Sequence, residues 1–302
     1  MKAFIMVLFT ATALFSERLQ VVASMPDLAD IAAKIGGDAV NVITLATGKE
    51  DLHSVPARPA FLPKLNKADL LLTLGLDAEH AWLPALVKEA RNSRICEGGP
   101  GWIDCSHGIE ILGIPQKLDR SEGEQHPDGN PHYNIGPQCG EIIAINIQKV
   151  FANALPSKAE LFEKNKNDYC LKIKELISEL REKGKSLNGI KIVEYHPDLI
   201  YLSHFYGMKI VGTIEPKAGI SPSAAHLKKL QKQAKESKVV AVIYNQSQNR
   251  RLPEKMANSI GCKPIQIANA VGAKKEISSW IDLQKYNLRK LLEGIAGVQM
   301  YE

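Results

Sequence analysis

Three of the eight histidines in the chain stand where a fold could use them for chemistry. His53 lies in Lys49-Glu50-Asp51-Leu52-His53-Ser54-Val55-Pro56, and His196 in Tyr195-His196-Pro197. His132 lies in His126-Pro127-Asp128-Gly129-Asn130-Pro131-His132-Tyr133-Asn134-Ile135-Gly136-Pro137. Three prolines and two glycines in that last stretch forbid a regular helix or strand, so it is a shaped loop. An irregular loop carrying imidazoles is more readily explained by a ligand than by packing. Three converging imidazoles form a transition-metal site, and nitrogen ligation suits zinc better than calcium or magnesium. The spacing is long and non-local, so unrelated loop histidines are the competing reading.

The other histidines read more plainly. His80 begins an expected helix and is solvated, His107 sits in a turn after Cys105-Ser106, and His204 and His226 fall within helical segments. His126, six residues before His132, is ambiguous. Enzyme signatures are sparse: there is no G-x-S-x-G, no P-loop, no strand-to-helix G-x-G-x-x-G and no H-E-x-x-H. Glu97-Gly98-Gly99-Pro100-Gly101 has the glycines of a phosphate loop without its Lys-Ser/Thr.

Positioning these residues falls to alternating strands and helices. Strands are expected at Leu19–Ser24, Val40–Leu45, Asp69–Leu74, Ile190–Glu194, Lys209–Ile214, Val239–Tyr244 and Pro264–Ala268. Helices are expected at Asp27–Ile35, Pro59–Ala68, His80–Arg91, Leu199–Tyr206, Pro222–Glu236, Pro253–Ile260 and Ser278–Ile295. Near-continuous apolar strands between helices indicate parallel sheets covered on both faces. Between the halves, Pro156–Lys183 repeats apolar residues at three- and four-residue steps and stops at Gly184, which predicts one long helix. It reads as a spine joining two lobes, with an ordinary long surface helix as the plainer alternative. The fold class is therefore α/β, two similar lobes with parallel-rich sheets joined by one long helix, and a site in the cleft. The expected division is 1–16 signal peptide, 17–155 N-terminal lobe, 156–184 linking helix and 185–302 C-terminal lobe.

Composition sets outer limits. The 302 residues, 45% apolar and 24% charged, are ordinary for a globular protein with room for two lobes. A net charge of +5 without a dense basic run argues against nucleic acid as a partner. Met1-Lys2 followed by an apolar run to Phe15 has the form of a signal peptide and is too short to span a bilayer. A buried first strand is the alternative. No Cys follows that run, so a lipid-anchored end is not expected. Five cysteines are compatible with an oxidising compartment, and Cys96 and Cys105, bracketing the Gly-rich turn, are the candidate disulfide pair.

The ordered motifs resemble the solute-binding proteins of zinc and manganese ABC importers, the cluster A-I (cluster 9) family, over nearly the whole chain. Asp51-Leu52-His53-Ser54 is similar to the family's D-P-H segment, and Lys67-Ala68-Asp69-Leu70 to its K-A-D-L segment. Asn130-Pro131-His132-Tyr133 is similar to D-P-H-x-W-x-D-P, and His196 through Tyr201 to Tyr206-Gly207-Met208 to H-x-x-x-x-Y-x-x-x-x-Y-G-L. Glu215-Pro216 and Ser221-Pro222-Ser223 are similar to its E-P…P-S stretch. The resemblance implies a periplasmic metal-capture protein, monomeric and non-enzymatic. It would take Zn2+ as transported ligand in preference to Mn2+, hold it by His53, His132 and His196, and deliver it to a membrane permease. The chain departs where the family's fourth ligand is an Asp in D-x-x-G, since Asn269-Ala270-Val271-Gly272 stands there. Asn269, His126, Glu215 and water remain alternatives for that position. A zinc hydrolase with a three-His site and bound water is the rival function. A binding module that has lost its metal is the third.

Overall fold

The computed structural model describes residues 18–115, 126–215 and 220–296. The expected signal peptide and Pro216 lie outside them. The first half runs β1 (Leu19–Ala23), α1 (Pro26–Gly36), β2 (Val40–Thr44), α2 (Leu62–Asn66), β3 (Leu70–Thr73), α3 (Leu83–Ala90), β4 (Trp102–Asp104) and α4 (Gly140–Ala154). Then comes the long helix α5 (Ala159–Lys183). The second half runs β5 (Lys191–Glu194), α6 (Ile200–Tyr206), β6 (Lys209–Thr213), α7 (Ala224–Glu236), β7 (Ala241–Asn245), α8 (Arg251–Ile260), β8 (Lys263–Ile267) and α9 (Trp280–Ile295).

Two four-stranded parallel sheets result, ordered β2-β1-β3-β4 and β6-β5-β7-β8. Each sheet starts at an inner strand, winds one way and then the other, and so switches direction beside that strand. In such sheets a crevice opens at the carboxyl ends of the strands at the switch point. The central strands explain the topology: β3 (Leu70 to Thr73) and β7 (Ala241 to Asn245) are buried at every position, as strands covered by helices on both faces must be.

The long helix spans about 37 Å at 1.5 Å per residue. Phe162, Tyr169, Ile173, Leu176 and Leu180 form its buried stripe. It packs against α1 and α4 on the N-terminal side and α9 on the C-terminal side, so it touches both halves. Its outer face carries i,i+4 pairs such as Lys164–Asp168 and Lys183–Glu179. One hydrophobic cluster runs from β1 through α5 to α9, and a smaller one lies between β7, α7 and α8.

Two expectations need correction, and one strand had no expectation at all. Cys96 and Cys105 are not bridged, and all five cysteines are free thiols. Cys105 is buried after β4, whereas the exposed Cys96 donates its thiol to the Ser93 carbonyl, 3.0 Å away. The helix expected from His80 starts at Leu83, because Leu76 and Asp77 adopt left-handed backbone (φ 52° and 59°) and make a turn of the segment before it. The short strand β4 gave no sequence signal, being three residues straight after a Gly-rich turn.

The two halves approach each other backbone to backbone at Gly48 and Gly272. A Cβ on Gly48 (φ +80°) would lie 1.9 Å from the Val271 carbonyl oxygen, and one on Gly272 would lie 2.6 Å from that of Thr47. Only glycine permits that approach. Gly189 has a similar φ (+77°) with nothing within 4 Å, so it isolates the conformational cost. Gly189→Ala should cost about 1–2 kcal/mol. Gly48→Ala should cost clearly more, and urea denaturation of the two variants side by side checks the order.

Candidate metal centre

Every side chain of the candidate site hangs from the carboxyl end of a strand or from the loop laid across those ends. His53 follows β2 in a loop pinned by the Trp82 indole, which donates to the Leu52 carbonyl at 2.9 Å. The Asp51 carboxylate accepts the His53 backbone N–H at 2.9 Å. His132 opens a 3-10 turn (His132–Ile135), and Asn130 accepts its backbone N–H at 3.0 Å. Tyr133, next in the turn, donates its hydroxyl to the Leu74 carbonyl just beyond β3 at 2.6 Å. His196 follows β5, whose end is continued by Tyr195 N–H donating to the Ile243 carbonyl of β7.

The three rings come together. His53, His132 and His196 are 6%, 4% and 7% exposed, and one ring nitrogen from each lies within 4.8 Å of the others. His53 Nε2 and His132 Nε2 are 3.2 Å apart.

The tautomers follow from the partners. His53 Nδ1 faces the Ala78 carbonyl at 3.2 Å, an atom that can only accept. His132 Nδ1 faces Asn130 Oδ1 at 3.0 Å. The Asn130 amide cannot be reversed, since its Nδ2 donates to the Pro197 carbonyl at 2.6 Å. His196 Nδ1 faces Glu215 Oε2 at 2.9 Å. Each Nδ1 therefore carries a proton donated to oxygen, and each Nε2 is turned to the common centre. In His53 and His132 those nitrogens are lone pairs facing one another, a repulsive contact that a cation between them would relieve. Tetrahedral zinc with Zn–N bonds of about 2.0–2.1 Å sets its ligand nitrogens about 3.3 Å apart, close to the 3.2 Å between His53 and His132.

Protonation follows the same geometry. Burial pushes the His53 imidazole down to about 4, and His132 well below its usual range. At His196 burial acts in the same direction but is overridden. The hydrogen bond that its Nδ1–H donates to Glu215 and the charges of Asp198 and Asp51 hold that ring up to about 9. At neutral pH His196 is an imidazolium beside two neutral rings.

His126 joins the centre from the side. Its ring stacks on His53 at 4.8 Å with 27° between planes, and burial takes it down to about 4. Neither of its ring nitrogens has a hydrogen-bond partner. His80 is exposed, and its ring lies edge-on to His126 at 6.4 Å. His226 lies apart, bonded to the Thr213 carbonyl. Asn269 is buried, and its side-chain oxygen accepts from Gln246 Nε2. No carboxylate or thiolate joins the three imidazoles among the described residues.

Sequence reasoning missed the holders. Asn130 gave a faint signal as the residue two before His132, whereas the Ala78 carbonyl and Gln246 gave none.

The family model described as zinc-uptake complex component A, periplasmic, matches residues 21–294. The manganese ABC transporter substrate-binding lipoprotein PsaA of Streptococcus anginosus is 26% identical over 289 residues, covering 93% of this chain and 90% of the relative. The high-affinity zinc uptake system protein ZnuA of Bacillus subtilis is 25% identical over 291 residues, covering 92% and 88%. Among solved structures, a crystal structure of ZnuA superposes with a TM-score of 0.76 at 24% identity, over 93% of this chain and all of that one. The Mn-bound periplasmic metal-binding protein of Candidatus Liberibacter asiaticus gives 0.77 at 21%, over 92% and 100%.

The tautomer assignment can be read directly. Long-range 1H–15N spectra of the ion-free protein at neutral pH should show His53 and His132 as neutral rings protonated on Nδ1, and His196 protonated on both nitrogens. Nε2–H tautomers at His53 and His132 would contradict the assignment.

Proposed function

Because the chain belongs to the zinc-uptake complex component A family, we propose that it is the extracytoplasmic substrate-binding subunit of a metal ABC importer. It captures Zn2+ with His53, His132 and His196 and passes the ion to a membrane permease. The convergence of one ring nitrogen from each of three buried imidazoles, with every Nδ1 held by an oxygen, carries this reading. Relatives named for manganese and for zinc stand side by side in the family. The donor atoms favour zinc here, since manganese prefers carboxylate and carbonyl oxygens whereas imidazole suits zinc.

Capture is a proton exchange. An entering ion finds two lone pairs ready at His53 and His132 and displaces the Nε2 proton of His196. Glu215, bonded to Nδ1 of that ring, then offsets part of the ion's charge through the imidazole. In a hydrolase a carboxylate should face the metal-bound water as base. Glu215 is instead bonded to the side of His196 turned away from the centre, which favours binding over catalysis. Among the described residues no helix is long and apolar enough to cross a membrane. On the importer reading the subunit acts outside the cytoplasm, as a monomer that meets its permease, with no nucleic-acid partner.

Zinc should raise the melting temperature on the order of 10 °C at about a thousandfold excess over Kd. His53→Ala, His132→Ala and His196→Ala should each remove most of that rise. A scan in which zinc leaves the wild-type transition unmoved refutes the assignment.

The pH dependence has a definite sign. Below about 9 each ion must displace roughly one proton from His196, so zinc affinity should climb with pH through neutrality and level off above that value. Glu215→Gln, which removes the partner that raises the ring, should flatten the climb. Competition titrations against a zinc dye from pH 6 to 9.5, roughly bracketing that value, read both curves.

A further inference from the structure

Close to the candidate ligands the two halves are also joined through side chains, and Asn130 is at the centre. Its Oδ1 accepts the backbone N–H of His132 at 3.0 Å and faces Nδ1 of that ring at 3.0 Å. Its Nδ2 donates to the carbonyl of Pro197, the residue after His196, at 2.6 Å. The backbone of Asn130 carries a second crossing. Its N–H donates to the Leu112 carbonyl at 2.9 Å, one half of the exchange that two facing strand residues make. The return path, from Leu112 N–H to the Asn130 carbonyl, runs through the other half of the molecule. The Tyr201 hydroxyl of α6 stands in it, accepting from Leu112 N–H at 3.2 Å and donating to the Asn130 carbonyl at 3.0 Å. Tyr201 is 1% exposed, its ring lies edge-on to Tyr133 at 6.3 Å, and Gln138 Nε2 donates to its carbonyl at 3.1 Å.

We propose that Tyr201 is the positioning residue of a latch between the halves: its hydroxyl, with the Asn130 amide, holds His132 in place against His196 and so sets how long a captured ion stays. The latch rests on the metal-binding reading above and adds to it a residue that touches no ion. An ion bound to both rings spans the halves and leaves when they part. Parting breaks the Tyr201–Asn130 and Asn130–Pro197 bonds together. The freed Leu112 N–H and Asn130 carbonyl can then bond each other directly, which spares them the cost of a buried unpaired group. The latch therefore opens without stranding polar groups in the half that carries His132. By linkage, a latch that holds the ion is held shut by the ion in return.

Tyr201→Phe removes only the hydroxyl and keeps the ring packing and the bond from Gln138. Tyr206→Phe, on the same helix, removes a buried hydroxyl that has no partner and serves as the control. Zinc release into excess chelator is followed by stopped flow in wild type and both variants. Deuterium exchange of the Leu112 amide is followed with and without zinc. The latch predicts release about three- to tenfold faster in Tyr201→Phe, the net worth of one hydrogen bond, and unchanged in Tyr206→Phe. It also predicts that zinc slows Leu112 exchange in wild type and loses that effect in Tyr201→Phe. A hydroxyl with a merely structural role would lower the melting temperature equally with and without zinc. Release from Tyr201→Phe would then keep the wild-type rate, which overturns the latch. If Tyr201→Phe does not fold, Leu112 exchange in wild type decides, and indifference to zinc overturns the latch. A wild-type protein that takes up no zinc overturns the metal-binding reading itself.

Discussion

Two neutral imidazole nitrogens 3.2 Å apart, lone pair to lone pair, are the constraint around which the molecule is arranged. Left alone, the rings would turn away. They do not because each Nδ1 is bonded to an oxygen that cannot move: the Ala78 carbonyl beyond β3, the Asn130 amide, and Glu215 beyond β6. Those oxygens come from both sheets, so both must be in place before the site exists. Parallel strands supply that rigidity, since their carboxyl ends point one way and their loops collect in one crevice.

Holding the halves together falls to a buried polar seam. Asn134, two residues after His132, donates to Asp27 of α1 at 3.3 Å and to the Asn269 carbonyl at 2.8 Å. Its own carbonyl accepts from the Trp280 indole at 2.7 Å and from Gln284 at 3.2 Å, both on α9. Asp27 also accepts from Val271 N–H. Each such bond contributes only about 0.5–1.5 kcal/mol net, but breaking one leaves a buried group unpaired at greater cost. The seam therefore specifies one arrangement of the halves more than it stabilises the fold. Its loop, His132 to Asn134, is also the loop of the second imidazole, so site and seam share a backbone. Burial raises Asp27 to about 7, and raises Glu79 and Glu194 at the strand ends to about 7 and 8. Carboxyls held that high bind protons that the unfolded chain releases above about 4. Their contribution to stability is thus present in acid and lost as pH rises through 7 to 8. The depressed His53 and His126 act in the opposite sense and lose stability as pH falls through about 6.5 toward 4.

Much of this was legible in the residues. Apolar runs such as Leu70 to Leu74 and Ala241 to Tyr244, set between helical segments, read as strands covered on both faces, and the three-and-four spacing from Phe162 to Leu180 reads as one helical stripe. That placed His53 and His196 beyond strand ends, with His132 in a shaped loop of the N-terminal lobe. What stayed hidden was of two kinds. Local backbone overrode pattern where Leu76 and Asp77 turn left-handed and delay α3, and where β4 has three residues and no periodicity to read. Partners distant in sequence were the other kind. The Gln246–Gly48 bond spans 198 positions and the Asp27–Val271 bond 244, and nothing local marks either residue. The Cys96–Cys105 pairing failed for a related reason: closeness in sequence says nothing about which way two side chains point, and one of these is exposed while the other is buried.

Overall similarity cannot separate zinc from manganese here, because relatives named for each match at about the same identity and coverage. The distinction rests on a few atoms. On the proposed reading an ion entering this cleft would meet nitrogen at three corners, with carboxylates set back behind a ring or engaged with backbone N–H groups, as Asp51 is with His53. A carboxylate at position 269 would add a full negative charge inside the cleft, whereas the amide there adds none and is already bonded to Gln246. The negative charge next to the three rings stands behind one of them, as Glu215 on Nδ1 of His196. The same placement makes His196 basic, so it ties capture of the ion to release of a proton. On the proposed reading, selectivity and proton coupling would be two consequences of one arrangement: neutral nitrogen against the ion, negative oxygen behind the nitrogen.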